Sequence, residues 1–186
     1  TITEFCSETI VMPAKQFGEL AKYMDLLVDA ICVVDADGQF VHVGGGCEQV
    51  FGYQPHEMIG RNMTDFLHPD DLHRTMHRSQ ALLKDKLLPL FENRYIRKDG
   101  SIVHVMWSAR WSDDEKLRIA VARDITSRIR AESKQKAIYN ISEAAHHIQD
   151  LPTLLKNIHR IVGELLPIES FSLVQLDETE EHYLTC

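Results

Sequence analysis

The stretches Asp29-Ala-Ile-Cys-Val-Val-Asp-Ala-Asp-Gly38 and Arg118-Ile-Ala-Val-Ala-Arg-Asp-Ile-Thr126 decide how this chain folds. The first is a short apolar run that ends in an Asp-Gly turn. The second alternates apolar and polar residues and runs into a helix start. Working inward from the first, strands are predicted over 31–34 and 40–43, joined by Ala36-Asp-Gly38. Gly44-Gly-Gly46 then breaks the second strand. It lacks the following Lys-Ser/Thr and the GxGxxG spacing of a phosphate loop, so it reads as a sharp strand-to-helix turn. In Cys47-Glu-Gln-Val-Phe-Gly-Tyr53, Val50 and Phe51 are expected to pack inward and Gly52 to end the helical turn. Pro55 starts another short helix, stopped by Gly60. His68-Pro-Asp-Asp71 is expected to cap a longer helix, an Asp carboxylate accepting its first-turn amides. Leu72, Met76, Ser79 and Leu83 share one face of that helix at heptad-like spacing, with His73, His77 and Gln80 beside it, and Pro89 ends the helical region.

Working back from the second stretch, strands are predicted over 91–97, 102–111 and 117–124, with Lys98-Asp-Gly-Ser101 and Ser112-Asp-Asp-Glu-Lys116 as hairpin connections. Five strands with helices between the second and third make an antiparallel α+β sheet with one concave face. Alternation sets Val103, Val105 and Trp107 on one side and His104, Met106 and Ser108 on the other. Met106, Ile119 and Val121 would leave an apolar patch on the outer face that needs cover.

Outside this region the pattern is helical. Over 1–28, Phe17, Leu20, Ala21, Met24, Leu27 and Val28 repeat at three and four behind Pro13, which predicts an amphipathic helix. Such a face must be buried, on the outer face of the sheet or in a dimer. Thr126 can cap a helix beginning at Ser127, and Asp124 can pair with Arg128 or Arg130. Residues 127–150 hold no Gly or Pro, and Ile138, Ile141, Ala145 and Ile148 follow the 3-4-3 spacing of a short coiled-coil seam. Asp150-Leu-Pro152 breaks that helix; another is predicted over 153–166, then a strand over 171–176 and the start of one at His182.

Composition narrows the function. The 186 residues carry a net charge of −8, which offers no basic face for nucleic acid and no polybasic patch for an anionic membrane. No apolar run approaches the ~20 residues of a membrane span, and no signal peptide opens the sequence. Cys6, Cys32, Cys47 and Cys186 are scattered without a CxxC pair, which argues against structural zinc or a disulfide framework and for a reducing cytoplasm.

The order and spacing of these pieces, with Gly60-Arg-Asn-Met-Thr-Asp-Phe-Leu-His-Pro-Asp-Asp71 and Arg97-Lys-Asp-Gly100 among them, resemble a PAS sensor domain over 29–126. The resemblance implies that Val103, Val105 and Trp107 face a concave, ligand-facing side. It implies a pocket lined by Cys32, Val34, Phe51, Met58, Met63, Phe66, Met76, Tyr95, Val105 and Trp107. Asp124-Ile-Thr126 resembles the Asp-x-Thr junction through which PAS domains pass a signal to a helix. Light-sensing relatives carry Gly-x-Asn-Cys; here Met63 follows Gly60-Arg-Asn62, and a thioether cannot form the flavin adduct. Haem-binding relatives place an axial His on the long helix, where Met76 stands at the matching position and His77 one residue off, so no haem is expected. His73 and His77 at i, i+4 supply two metal ligands but no third.

Residues 137–167 resemble the opening of a GAF domain, which 186 residues would leave incomplete. The expected organisation is a capping and dimerisation helix (1–28), a PAS domain (29–126), a signalling helix (127–150) and the start of a GAF domain (151–186). The expected role is the sensory, homodimerising part of a bacterial signalling protein whose output is a histidine kinase or a cyclic-di-GMP enzyme. A small-molecule ligand is allowed and no catalysis is expected from these residues. The dimer contacts would be Phe17, Leu20, Met24 and Leu27 at one end and Ile138, Ile141, Ala145 and Ile148 at the other. The alternatives are a histidine kinase with its own phospho-acceptor helix, or a haem-based redox or gas sensor. His147 before Pro152 suggests the kinase, but Ile148 and Asp150-Leu151 depart from the phospho-acceptor pattern.

Overall fold

The structure, a computed structural model, describes residues 26–85, 87–147, 150–164, 172–176 and 181–185. Phe17, Leu20, Met24 and Ile148 lie outside them, and with them most of the expected N-terminal helix. The chain divides into two units, Thr1–Thr126 and Ser127–Cys186.

The first unit holds a five-stranded antiparallel sheet in the order β2-β1-β5-β4-β3. Its strands are β1 (Ala30–Asp35), β2 (Phe40–Gly45), β3 (Leu87–Ile96), β4 (Ile102–Ser112) and β5 (Leu117–Asp124). Between β2 and β3 lie α1 (Cys47–Phe51), α2 (Pro55–Met58), two 3-10 turns and α3 (Leu72–Asp85). The β1–β2 turn forms because the Asp35 carboxylate accepts the amides of Asp37 and Gln39 at 3.0 and 2.8 Å, while Gly38 takes φ 89°. Gly46 answers to a close approach. A Cβ there would lie 2.0 Å from the Val28 carbonyl oxygen, so only glycine lets the segment before β1 pass over the start of α1.

The helical insert is stitched to both edges of the sheet. Beside β2, the Phe40 amide donates to Arg61 O at 2.9 Å and the Met63 amide to Gly38 O at 2.8 Å. Beside β3, the His68 amide donates to Arg94 O and the Ile96 amide to Phe66 O, at 2.9 and 2.7 Å. These bonds occupy backbone groups that edge strands otherwise leave open. They also lay Met63 and Phe66 over the concave face, where both are buried.

Three expectations need correction. Pro89 lies inside β3 and does not end the helical region. β3 is an edge strand, and its pairing with β4 shifts register between Leu88 and Phe91, so the missing N–H breaks no regular ladder. The long helix is rotated from its expected phase: Leu72 and Met76 are exposed, and Thr75 and Leu82 are buried. Asp71 does not cap that helix. The His68 ring nitrogen Nδ1 accepts the Asp70 amide, and the buried Asp71 carboxylate goes to Arg94 on β3.

On β4, Val103, Val105, Trp107, Ala109 and Trp111 are buried on the concave side. Phe51, Tyr95 and Trp107 form an aromatic cluster with centroid separations of 5.5 to 6.1 Å. On the outer face Ile119 and Val121 are exposed.

In the second unit α4 (Thr126–His147, its first residue closing the first unit) is followed by α5 (Leu151–Gly163). Asp150 caps α5, its carboxylate accepting the Thr153 amide at 3.1 Å. β6 (Ser172–Leu176) pairs antiparallel with β7 (Glu181–Thr185). No helix among the described residues is long and apolar enough to cross a membrane.

Candidate functional site

The concave face is not completely filled. Ala109 on β4 stands opposite Ala120 on β5, and Cys32 on β1 flanks Ala120 on the other side, so three small side chains sit abreast at mid-sheet. Above them lies a cavity whose lining includes Val34, Phe40, Met63, Phe91, Tyr95, Trp107, Ala109 and Ala120, together with Thr75, Arg78 and Ser79 of α3, Asn93 of β3 and Arg118 of β5. The space open to the centre of a water molecule is about 40 Å³. At roughly 10–15 Å³ per water, that holds a few waters or a correspondingly small molecule.

Two kinds of polar group meet this cavity. One is a closed network: Trp107 Nε1 donates to Asn93 Oδ1 at 2.7 Å, and Asn93 Nδ2 donates to Thr75 Oγ1 at 3.0 Å. It ties β4, β3 and α3 together and leaves no buried side-chain N or O orphaned among the described residues. The other is Arg118. Its Nη1 donates to Ser79 Oγ at 2.5 Å and its Nη2 contacts Met63 Sδ at 3.1 Å. Among the described residues no carboxylate lines the cavity and none forms an ion pair with Arg118. Burial accordingly lowers its pKa, opposed by the phenol of Tyr95, the thiol of Cys32 and the carboxylate of Asp35. Burial pushes the Tyr95 phenol and the Cys32 thiol above their ordinary values. Cys47, whose thiol donates to Tyr53 O at 3.3 Å, is pushed up to about 11 for the same reason.

The second feature is the end of β5. Arg97 Nη2 donates to Asp124 Oδ2, and Asp124 Oδ1 accepts the Thr126 amide at 2.7 Å. Thr126 Oγ1 accepts the His104 amide at 3.0 Å, and the Ile125 amide donates to His104 O at 2.9 Å. The base that pairs with Asp124 is therefore Arg97, which also donates from Nε to Val50 O at 3.0 Å, and not Arg128 or Arg130. The Thr126 hydroxyl is used across the sheet, while Asp124 serves the first amide of the helix.

Comparison with known proteins bears on this architecture. Residues 40–121 match the family described as the PAS fold. This region has the PAS fold. White collar 2 protein of Neurospora crassa is 33% identical over 102 residues, 54% of this chain; the chain spans only 18% of the length of that relative. A PAS domain from Colwellia psychrerythraea is 26% identical with a TM-score of 0.51, covering 60% of this chain and 98% of that one. The PAS domain of an HTR-like protein from Haloarcula marismortui is 27% identical with a TM-score of 0.52, covering 60% and 93%.

Within this PAS domain the expected pocket residues separate. Val34, Met63, Tyr95 and Trp107 line the cavity. Cys32, Phe51, Met58, Phe66 and Val105 are buried in the surrounding core without lining it. Met76 does neither; it lies on the exposed face of α3, as do His73 and His77. Among the described residues no three His, Cys, Asp or Glu side chains are grouped to hold a metal. Of the expected dimer contacts, Leu27, Ile138 and Ala145 are exposed and Ile141 is half-buried. The sequence reading passes over Arg118, Asn93 and Thr75, and names Ser79 only as part of the expected face of the long helix. A signal for Arg118 was present, because it shares the two-residue phase of Ala120 and Ala122 on β5.

Proposed function

We propose that this chain is the sensory and dimerising part of a signalling protein, with the PAS domain as input and α4 as the element that carries the signal onward. The observation that carries the reading is the junction at Asp124. One carboxylate holds both the base Arg97 and the first helical amide at Thr126, and the Thr126 hydroxyl is bonded to β4. A shift of β5 against β4 therefore acts directly on the first turn of α4. A two-state change in the packing of α4 would complete the relay.

Homodimerisation through the surfaces of Leu27, Ile138, Ile141 and Ala145 belongs to this proposal, supported by the exposure of Ile138 and its neighbour Tyr139, both well over half open to solvent. So do a GAF domain beginning within 151–186, a cytoplasmic location, and an output enzyme of the histidine kinase or cyclic-di-GMP class beyond this segment. The PAS domain is a sensory module, not a catalytic one. Light scattering across a concentration series should give the mass of a dimer, and Ile138→Glu should shift it toward the monomer. A monomer at all concentrations removes the dimer from the proposal. In the intact signalling protein, Asp124→Asn and Thr126→Ala should uncouple input from output while the domain stays folded; unchanged signalling by both variants removes the relay.

A further inference from the structure

We infer that the PAS cavity is a receptor site for a small monocarboxylate of two or three carbons, held by Arg118 with Ser79 and the Tyr95 phenol. The inference rests on the sensory reading of the domain and names its ligand class.

The first argument is charge. Arg118 lies on the concave side of β5 among apolar groups, and its donors meet only a hydroxyl and a thioether. A guanidinium has five donors and a planar fork that matches a carboxylate. These two contacts use two of the five donors. Among the described residues no acidic side chain lines the cavity to neutralise Arg118, and the other charged one there, Arg78, has the same sign. Elsewhere in the same sheet an arginine is handled differently: Arg94, on edge strand β3, is closed off by Asp71 through three hydrogen bonds. The described lining thus presents net positive charge with no counter-ion in it, which favours an anion.

The second argument is donors. Ser79 Oγ accepts from Arg118, so its own hydrogen is available to a further acceptor. Tyr95 lines the cavity, and its hydroxyl hydrogen-bonds to none of the described residues. Burial keeps that phenol protonated and able to donate.

The third argument is size and polarity. The space open to a water centre, about 40 Å³, suits a molecule of a few heavy atoms. The lining also includes Val34, Phe40, Phe91 and the Ala109/Ala120 pair, apolar surface that receives a methyl or ethyl group.

The test is a titration of the whole chain, isotopically labelled for NMR, with sodium acetate and sodium propionate against sodium chloride and sodium hexanoate at constant ionic strength. The expected result is saturable shifts at the Ala109 and Ala120 amides with acetate or propionate, and none with chloride. Arg118→Met should weaken that binding by about tenfold or more, the loss of a charge-assisted hydrogen bond. Ser79→Ala, which leaves the charge in place, should weaken it less, and each variant is checked for an intact fold by circular dichroism. Shifts with chloride equal to those with acetate, no saturable response to either carboxylate, hexanoate binding in preference to acetate, or undiminished binding in folded Arg118→Met would each overturn the site. Hydrogen exchange of 126–131 in the same samples reads the relay separately. Binding without a change there upholds the site and removes the coupling; loss of binding with dimerisation intact removes the site alone.

Discussion

Two arginines of the same sheet are treated in opposite ways. Arg94, on edge strand β3, is met by both oxygens of Asp71 at 2.9 to 3.1 Å, and its backbone amide donates to the same carboxylate at 2.7 Å. Arg118, on central strand β5, forms no ion pair with any described residue, and the Asp35 carboxylate acts on it only through space. The first arrangement fixes the start of α3 to β3. The second leaves a charge partly out of water with its valence open. A charge removed from water is costly unless paired, so Arg94 stabilises the fold while Arg118 strains it. The difference separates a fastening from a site.

The comparison breaks most visibly at Asp71. Asp71→Ala leaves Arg94 and its amide without their acceptor at a buried position and should cost about 3 kcal/mol, read as a lowered midpoint in urea unfolding. The same pair should dominate acid sensitivity. Arg94 holds the Asp71 carboxyl below its ordinary value of 3.8. A depressed folded pKa contributes stability that is complete well above 3.8 and is lost as pH falls through the lower folded value. Melting temperature should therefore drop in that acid window for the natural protein, and Asp71→Asn should flatten the drop. A wild-type curve no steeper than the variant's would show that Arg94 and Asp71 are not coupled in solution.

Arg118→Met should move stability the other way. Without carboxylate in the buffer, replacing an unpaired guanidinium by an apolar chain of similar length should raise unfolding free energy by about 1 kcal/mol. Destabilisation of similar size would mean that the Ser79 and Met63 contacts satisfy Arg118 and that the contrast with Arg94 is false. The smallest effect belongs to a third arginine, Arg97, whose partner Asp124 is about a third exposed. Asp124→Asn should cost less than about 1 kcal/mol because solvent screens the pair. It should nevertheless speed amide exchange at Thr126, whose N–H the carboxylate accepts.

Most of the sheet was readable from its two-residue period, since a strand with one buried face repeats its pattern whatever it packs against. Val103, Val105 and Trp107 fell on the concave side for that reason. The phase of α3 was not readable. Its apolar residues Leu72 and Met76 suggested one face, but the face that packs is chosen by Thr75, which bonds Asn93, and by Leu82. A polar contact made by a strand distant in sequence outweighs two hydrophobic residues. The pairing of Asp124 was missed for a related reason: proximity in sequence favoured Arg128 and Arg130, whereas the hairpin brings Arg97 alongside. At the cavity, a search for apolar lining finds Val34, Met63, Tyr95 and Trp107 and overlooks the groups that give the space its chemistry.

The two buried thiols carry a consequence of their own. A cysteine is attacked by peroxide or disulfide only as its thiolate. With Cys47 pushed up to about 11 and Cys32 raised further, both stay protonated throughout the pH range of a cell. Both are also closed to solvent. Oxidants and alkylating reagents should leave the folded domain unmarked at these positions, and labelling of either thiol would report that the concave face had opened.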